Sequence, residues 1–160
     1  MKKLNLGCGE DYREGWVNLD SRKGIKTDVL WNIENYPYPF KANTFEQVLM
    51  SMILEHTVDP IKTLKEIVRI CKNGAKLIVT VPHINSYAAH SDLQHKHYFT
   101  ENMFDDWHLK EYGLEELKFV NYEFLYHYKY KKYVPMKRFL KIYLNGIYDD
   151  IKFEFRVKKS

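Results

Sequence analysis

Asn5-Leu6-Gly7-Cys8-Gly9-Glu10 and, a short distance on, Gly15-Trp16-Val17-Asn18-Leu19-Asp20 are the two stretches on which the fold turns. The first closes an apolar strand signal and then carries two glycines, which let the backbone bend sharply and approach a ligand. The second is another short apolar run that ends on an acid, and a carboxylate placed there can grip both hydroxyls of a ribose. A dinucleotide loop would need a third glycine and a helix N-terminus facing a pyrophosphate. Here Glu10 takes that place, and an acid beside a diphosphate is repelled. The pattern suits a nucleoside whose other end is positively charged.

Punctuation and period extend this beginning to an α/β chain. Lys3 to Leu6, Trp16 to Leu19, Asp28 to Trp31, Phe45 to Ser51 and Lys76 to Val81 read as short parallel strands, the last stopped by Pro82. Between the last two, Ile61, Leu64, Ile67, Val68 and Cys71 recur at helical spacing, with Asp59-Pro60 as cap and first turn and Asn73-Gly74 as the stop. A second helix is expected from Thr100 to Tyr112, capped by Thr100, and a third from Met136 to Ile147. Leu117 to Tyr130 and Ile151 to Val157 are strand-like. Only Glu10 to Gly15 and Ser21 to Thr27 lie between the first three strands, whereas a helical crossover needs about a dozen residues. One face of the sheet is therefore expected to be polar, to be capped by the Tyr-rich tail, to be covered by the loops themselves, or to be buried in a second copy, so a homodimer is one possibility.

Composition bounds the reading. A chain of 160 residues with 45% hydrophobic content has room for one core, so residues 1–160 are expected to form a single domain. There is no internal repeat, and no apolar run approaches the ~18 residues that span a bilayer. No signal-peptide core follows the basic start, which leads us to expect a cytoplasmic protein without a membrane span. Cys8 and Cys71 form neither a disulfide framework nor a metal cluster, and Cys8 reads as a small side chain tolerated in a tight loop.

The two opening stretches, together with Tyr36-Pro37-Tyr38-Pro39-Phe40 through Val48, Leu54-Glu55-His56 and the run Glu66-x-x-Arg69-x-x-Lys72-x-Gly74, resemble the class I S-adenosylmethionine-dependent methyltransferases in order and spacing over the first half of the chain. The resemblance implies a Rossmann-like, mostly parallel sheet with an antiparallel C-terminal hairpin, here with minimal helices after the first two strands. Its cofactor, S-adenosyl-L-methionine, carries the sulfonium and ammonium charges that Glu10 and Asp20 suit. It also implies that Leu6, Gly7, Cys8 and Gly9 meet the cofactor, that Asp20 takes the ribose, and that Ser51 sits at the mouth of the fourth strand. Asn32, with Ile33, holds the position where the family usually places an acid for the adenine amino group. Asp28 competes for that role, and Asn32 also reads as a turn former before Pro37.

Methyl transfer to oxygen or nitrogen gains from a general base, and His56 and His83 should both stand at the carboxyl edge of the sheet, with Glu55 beside the first. Glu55, His56 and His83 are the candidate catalytic residues, although the Leu-Glu-His stretch equally well shapes a loop. His90, His95 and His97 lie in a polar segment that resembles the acceptor-pocket frame of small-molecule methyltransferases. His-x-Asp and His-x-His spacings there also suit a divalent metal, but no metal is assigned. The acceptor expected is a small molecule such as a sugar or cell-envelope precursor. Lys129, Lys131, Lys132, Lys137, Arg138 and Lys141, interleaved with tyrosines, keep two alternatives open: an RNA or protein acceptor, and a catalytically silent nucleoside-binding or interaction module. With a net charge of only +4, nucleic acid is not the favoured partner. The same lysines also read as protection of an edge strand.

Overall fold

A computed structural model describes residues 1–159. Its centre is one seven-stranded sheet made of β1 (Lys3–Leu6), β2 (Val17–Asp20), β3 (Val29–Leu30), β4 (Phe45–Ser51), β5 (Cys71–Pro82), β6 (Leu117–Leu125) and β7 (Asp150–Val157), in the order β3-β2-β1-β4-β5-β7-β6. The first five strands run parallel, and β7 pairs antiparallel with both β5 and β6. The expected Rossmann-like arrangement is therefore present. The last two strands are neighbours, but residues 126–149 form a long strap between them in place of a tight hairpin turn.

Helix α1 (Pro60–Ile70) starts where the sequence predicts. Asp59 Oδ1 accepts the Lys62 amide at 2.8 Å, so the cap satisfies a first-turn N–H that the helix cannot. Its Leu64, Ile67, Val68 and Ile70 are buried and pack towards β5. Glu66 and Arg69 of the same helix act on a distant loop. Glu66 Oε1 accepts the Tyr38 amide at 2.6 Å, while Arg69 Nη2 donates to the Phe40 carbonyl at 2.9 Å and to Glu66. The Glu-x-x-Arg spacing is thus a clamp on residues 38–40, the approach to β4.

Leucines 4, 6 and 19 face the apolar core together with Phe45, Phe153 and Phe155, each fully enclosed and worth about 2–3 kcal/mol of burial. The opposite face of β1 and β2 carries Asn5 and Asn18, adjacent in register and buried. Asn18 donates to the Arg13 and Trp16 carbonyls and to Asp28, and accepts from the Arg13 amide. Asn5 donates to the Asp11 carbonyl. Between β1, β2 and β3 the chain lays two loops in place of helical crossovers and satisfies their backbone from asparagines on the sheet. Asp28 belongs to this network, accepting from both the Asn18 backbone and the Asn18 side chain, and it precedes β3.

Two sequence-based expectations are corrected. The helix predicted from Thr100 to Tyr112 is only α3 (Asp106–Glu111), capped by Asp105 and not by Thr100, because residues 98–100 are drawn to the sheet, where Phe99 bridges His83. The helix predicted from Met136 to Ile147 is reduced to α4 (Lys137–Leu140), with no buried residue. Phe139, Tyr143 and Leu144 are exposed, so most of the apolar stripe seen in the sequence meets no core, and only its last residue, Ile147, is buried. Asn85 holds the segment after α4 instead, its Nδ2 donating to the Lys141 and Leu144 carbonyls.

Candidate active site

The chain leaves β1 towards β2 on one side and later enters β4 on the other, so the carboxyl ends of β1 and β4 flank the topological switch point where open α/β sheets bind ligands. The glycine loop lies there. Gly7 and Gly9 both have left-handed backbones, at φ +68° and +52°. The Gly7 and Cys8 amides donate to the Leu19 carbonyl at 2.8 and 3.0 Å, stitching the loop to β2. The Gly9 amide donates to Asp20 Oδ2 at 2.8 Å, and the Arg22 amide to Oδ1 at 2.9 Å. A Cβ on residue 7 would stand 2.2 Å from Ile53 Cδ1, so no side chain fits between this loop and the chain leaving β4. Leu6 is enclosed beneath the loop. Cys8 is buried, and burial pushes its thiol pKa up, which suits packing and not nucleophilic attack.

Ser51 ends β4 exposed at this edge. Asn32 follows β3, also exposed, and its Oδ1 accepts the Glu34 amide at 3.0 Å, so it does form the turn that the sequence suggests. Ile33 beside it packs against the core.

Beyond β4 the backbone reverses at Met52, which takes a left-handed conformation (φ +54°) that a non-glycine residue adopts only at a cost. That reversal sends Ile53 against the glycine loop and Glu55 and His56, on the short 3-10 turn Leu54–His56, towards the ends of β5 and β7. A hollow of about 360 Å³ opens there, lined by Met52, Glu55, His56, Asp92, His95 and Asp150 among others. The Glu55 carbonyl accepts the Lys96 and His97 amides, which fastens the segment after α2 (Tyr87–Ser91) onto the turn and delivers His95 to the hollow. The His56 and His95 rings meet edge to face at 4.7 Å between centroids. Glu55 is 1% exposed, and among the described residues neither of its oxygens has a hydrogen-bond partner. Burial pushes its carboxyl up to about 7.

The structure separates the other predicted histidines from this hollow. His83 is buried with both ring nitrogens engaged: Nδ1 accepts the Asn85 amide at 3.1 Å, so Nε2 carries the proton and donates to Glu101 at 3.2 Å. Its ring stands edge-on to Phe124 and Tyr148. Burial lowers its pKa, which favours the neutral form. His90 stacks on Tyr98 and donates Nε2–H to the Ile84 carbonyl at 2.7 Å. His97 donates Nε2–H to the Thr57 carbonyl at 3.0 Å and borders an apolar hollow of about 560 Å³. Of the three predicted pocket histidines, only His95 faces Glu55 and His56. Met52 and Asp150 line the hollow without having been singled out in the sequence, and Asp92, the acid of the His-x-Asp spacing, joins them there. For Asp150 the missing information is register, since its pairing with Pro82 is what carries it to the edge.

The methyltransferase domain family matches residues 8–79, from the glycine loop to β5. An uncharacterized protein of Methanocaldococcus jannaschii is 28% identical over 80 residues, which are 50% of this chain and 38% of that protein. A second from the same organism is 58% identical over 43 residues, 27% of this chain and 19% of its own length. The matches thus span well under two thirds of these curated relatives. Among solved structures, a SAM-dependent methyltransferase from Archaeoglobus fulgidus superposes with a TM-score of 0.67 at 16% identity, covering 97% of this chain and 85% of that one. At that identity the likeness establishes the fold. Residues 8–79 are thus similar to the methyltransferase domain family, and the sheet, with its glycine loop and acid at the switch point, has the fold of the SAM-dependent methyltransferase it superposes on.

Proposed function

We propose that the protein transfers a methyl group from S-adenosylmethionine to a small polar acceptor held in the Glu55–His56–His95 hollow. The observation that carries this reading is the Met52–Ile53 reversal, because one short segment forms a wall of the cofactor loop and a wall of the hollow. When bound, the cofactor supplies a sulfonium-activated methyl, so the chain has chiefly to align the acceptor.

The residues at the switch point suit that cofactor. The left-handed turns at Gly7 and Gly9 let the backbone meet its methionine portion, and Asp20, fixed by two backbone amides, offers its carboxylate to the ribose. Asn32 is our candidate to accept from the adenine amino group, with the second lone pair of the Oδ1 that takes the Glu34 amide. In the hollow, a carboxylate and two imidazoles face the acceptor and reduce the cost of its losing a proton. His83 we assign a positioning role: through Glu101 it holds Lys141 and hence the strap over the sheet. A volume of about 360 Å³ is at the small end of ligand pockets and suits a sugar or a cell-envelope precursor's reactive portion.

A second reading, an RNA or protein acceptor, draws support from the strap, where Tyr128, Tyr130 and Tyr133 are 60–79% exposed among lysines. Calorimetric titration with S-adenosylmethionine and S-adenosylhomocysteine tests the first half of the proposal, with micromolar binding expected, about 8 kcal/mol. A screen of sugars and sugar phosphates for methylated product then separates the acceptor classes. A salt-sensitive gel shift with bulk RNA, and no small-molecule product, would favour the second reading.

A further inference from the structure

We propose that Glu55, His56 and His95 form a binding site for one first-row divalent transition-metal ion, with open coordination positions facing the acceptor hollow. The proposal rests on the preceding reading only for what the ion would serve, not for its binding. One potential ligand atom from each of the three residues lies within 4.8 Å of the others. Metal–ligand bonds of about 2.0–2.2 Å need neighbouring donors roughly 3 Å apart, so closure takes side-chain adjustments of about an ångström.

Three independent features favour a cation. His95 Nδ1 lies 3.1 Å from the Ala89 carbonyl and His56 Nδ1 lies 3.4 Å from the Gln94 carbonyl. A carbonyl can only accept, so each ring holds its proton on Nδ1 and keeps an Nε2 lone pair for the hollow, the outer-sphere pattern of metal-binding histidines. Glu55 has both oxygens enclosed and unpartnered, which for a carboxylate is costly unless a cation completes it. Asp92 and Asp150 line the same hollow, with Asp92 Oδ2 3.9 Å from His95 Nε2 and Asp150 Oδ1 also buried without a partner. The lining contains no lysine or arginine to balance these acids, and its third histidine, His127, is already hydrogen-bonded to Asp150.

Two imidazoles and one carboxylate select zinc, iron, cobalt or manganese over magnesium or calcium, which prefer all-oxygen sets. Three protein ligands leave at least one position free, as in sites where a substrate oxygen binds the ion and loses its proton more readily.

The test uses the full chain, stripped with EDTA and titrated with Zn²⁺ and Co²⁺ by calorimetry, with Co²⁺ absorption as a second reading. One equivalent is expected, with affinity falling at least tenfold in His95→Ala and Glu55→Gln and unchanged in His90→Ala. X-ray absorption on the zinc-loaded wild-type protein, which needs no variant to fold, should show two imidazoles and oxygen. No stoichiometric uptake, equal affinity in all variants, or a ligand set lacking two imidazoles overturns the site. S-adenosylmethionine titration of the same stripped samples judges the methyltransferase reading separately.

Discussion

At Gly7 and Gly9 the backbone does what other residues cannot do without strain, and at Gly7 there is no space for even one methyl group. Gly7→Ala should therefore lower stability by about 1–3 kcal/mol and weaken cofactor binding more than tenfold, read by thermal melting and calorimetry. Asp20 differs, because its carboxylate braces the loop through the Gly9 and Arg22 amides and is also the acid proposed to meet the ribose. Asp20→Ala is expected to abolish micromolar cofactor binding, and Asp20→Asn, which keeps an acceptor oxygen for a backbone amide, to retain more of the fold than of the affinity. Retained affinity in both variants would show that the ribose lies elsewhere. These residues were readable from the chain because a glycine pair after a strand and an acid after the next are local signals. The separation of His95 from His90 and His97 was not. All three lie within eight residues, and only the hydrogen bonds from the Lys96 and His97 amides to the Glu55 carbonyl decide which ring enters the hollow.

Among the elements, α1 was legible in its cap and its period, but it ends at Ile70 and the chain enters β5 at Cys71, before the expected Asn73-Gly74 stop, because pairing with β4 draws those residues into the sheet. Its Glu66–Arg69 clamp reaches carbonyls about thirty residues away, so Arg69→Ala should cost about 1–3 kcal/mol, mostly from leaving the half-paired Glu66 and the loop carbonyls unsatisfied. Chemical denaturation would measure it, and a loss under 0.5 kcal/mol would argue that the loop is held by Tyr38 and Phe40 packing alone. The predicted helix over residues 136–147 failed for the opposite reason: its period was real, but no apolar surface was left to receive it. Polar anchors hold that strap, among them the Lys141–Glu101 ion pair. Burial on its own would raise the Glu101 carboxyl, but Lys141, a backbone amide and His83 together hold it down at about 2. A folded-state value below the unfolded one stabilises the protein above the ordinary carboxylate range, and that contribution disappears as pH falls towards 2. The melting-temperature gap between wild type and Glu101→Gln should accordingly be widest above pH 5 and shrink towards pH 3. A constant gap would mean that Glu101 is not selectively ionised in the folded state.

Across the whole molecule, stability should be graded. Strands β4, β5 and β7 occupy the middle of the sheet with both edges paired, whereas residues 126–146 expose most of their aromatics. Hydrogen exchange is expected to be slowest in the former and fast in the latter, and comparable protection of the strap would reveal a partner or contact that covers it. The strand segments, the start and period of α1 and the glycine loop follow from short-range information: strand-length apolar runs, glycine and proline punctuation, and an acid at the right spacing, each of which acts through its immediate neighbours. Three things required the folded chain. The polar closing of the β1–β2 face depends on Asn5 and Asn18 meeting across strands. The true extent of the C-terminal helices depends on what surface is left to pack against. The Glu55–His56–His95 hollow joins residues some forty positions apart with Asp150 at the start of β7. Such groups are brought together by register and loop closure, which no local pattern encodes, because the hydrogen bonds that set them link partners far apart in the chain.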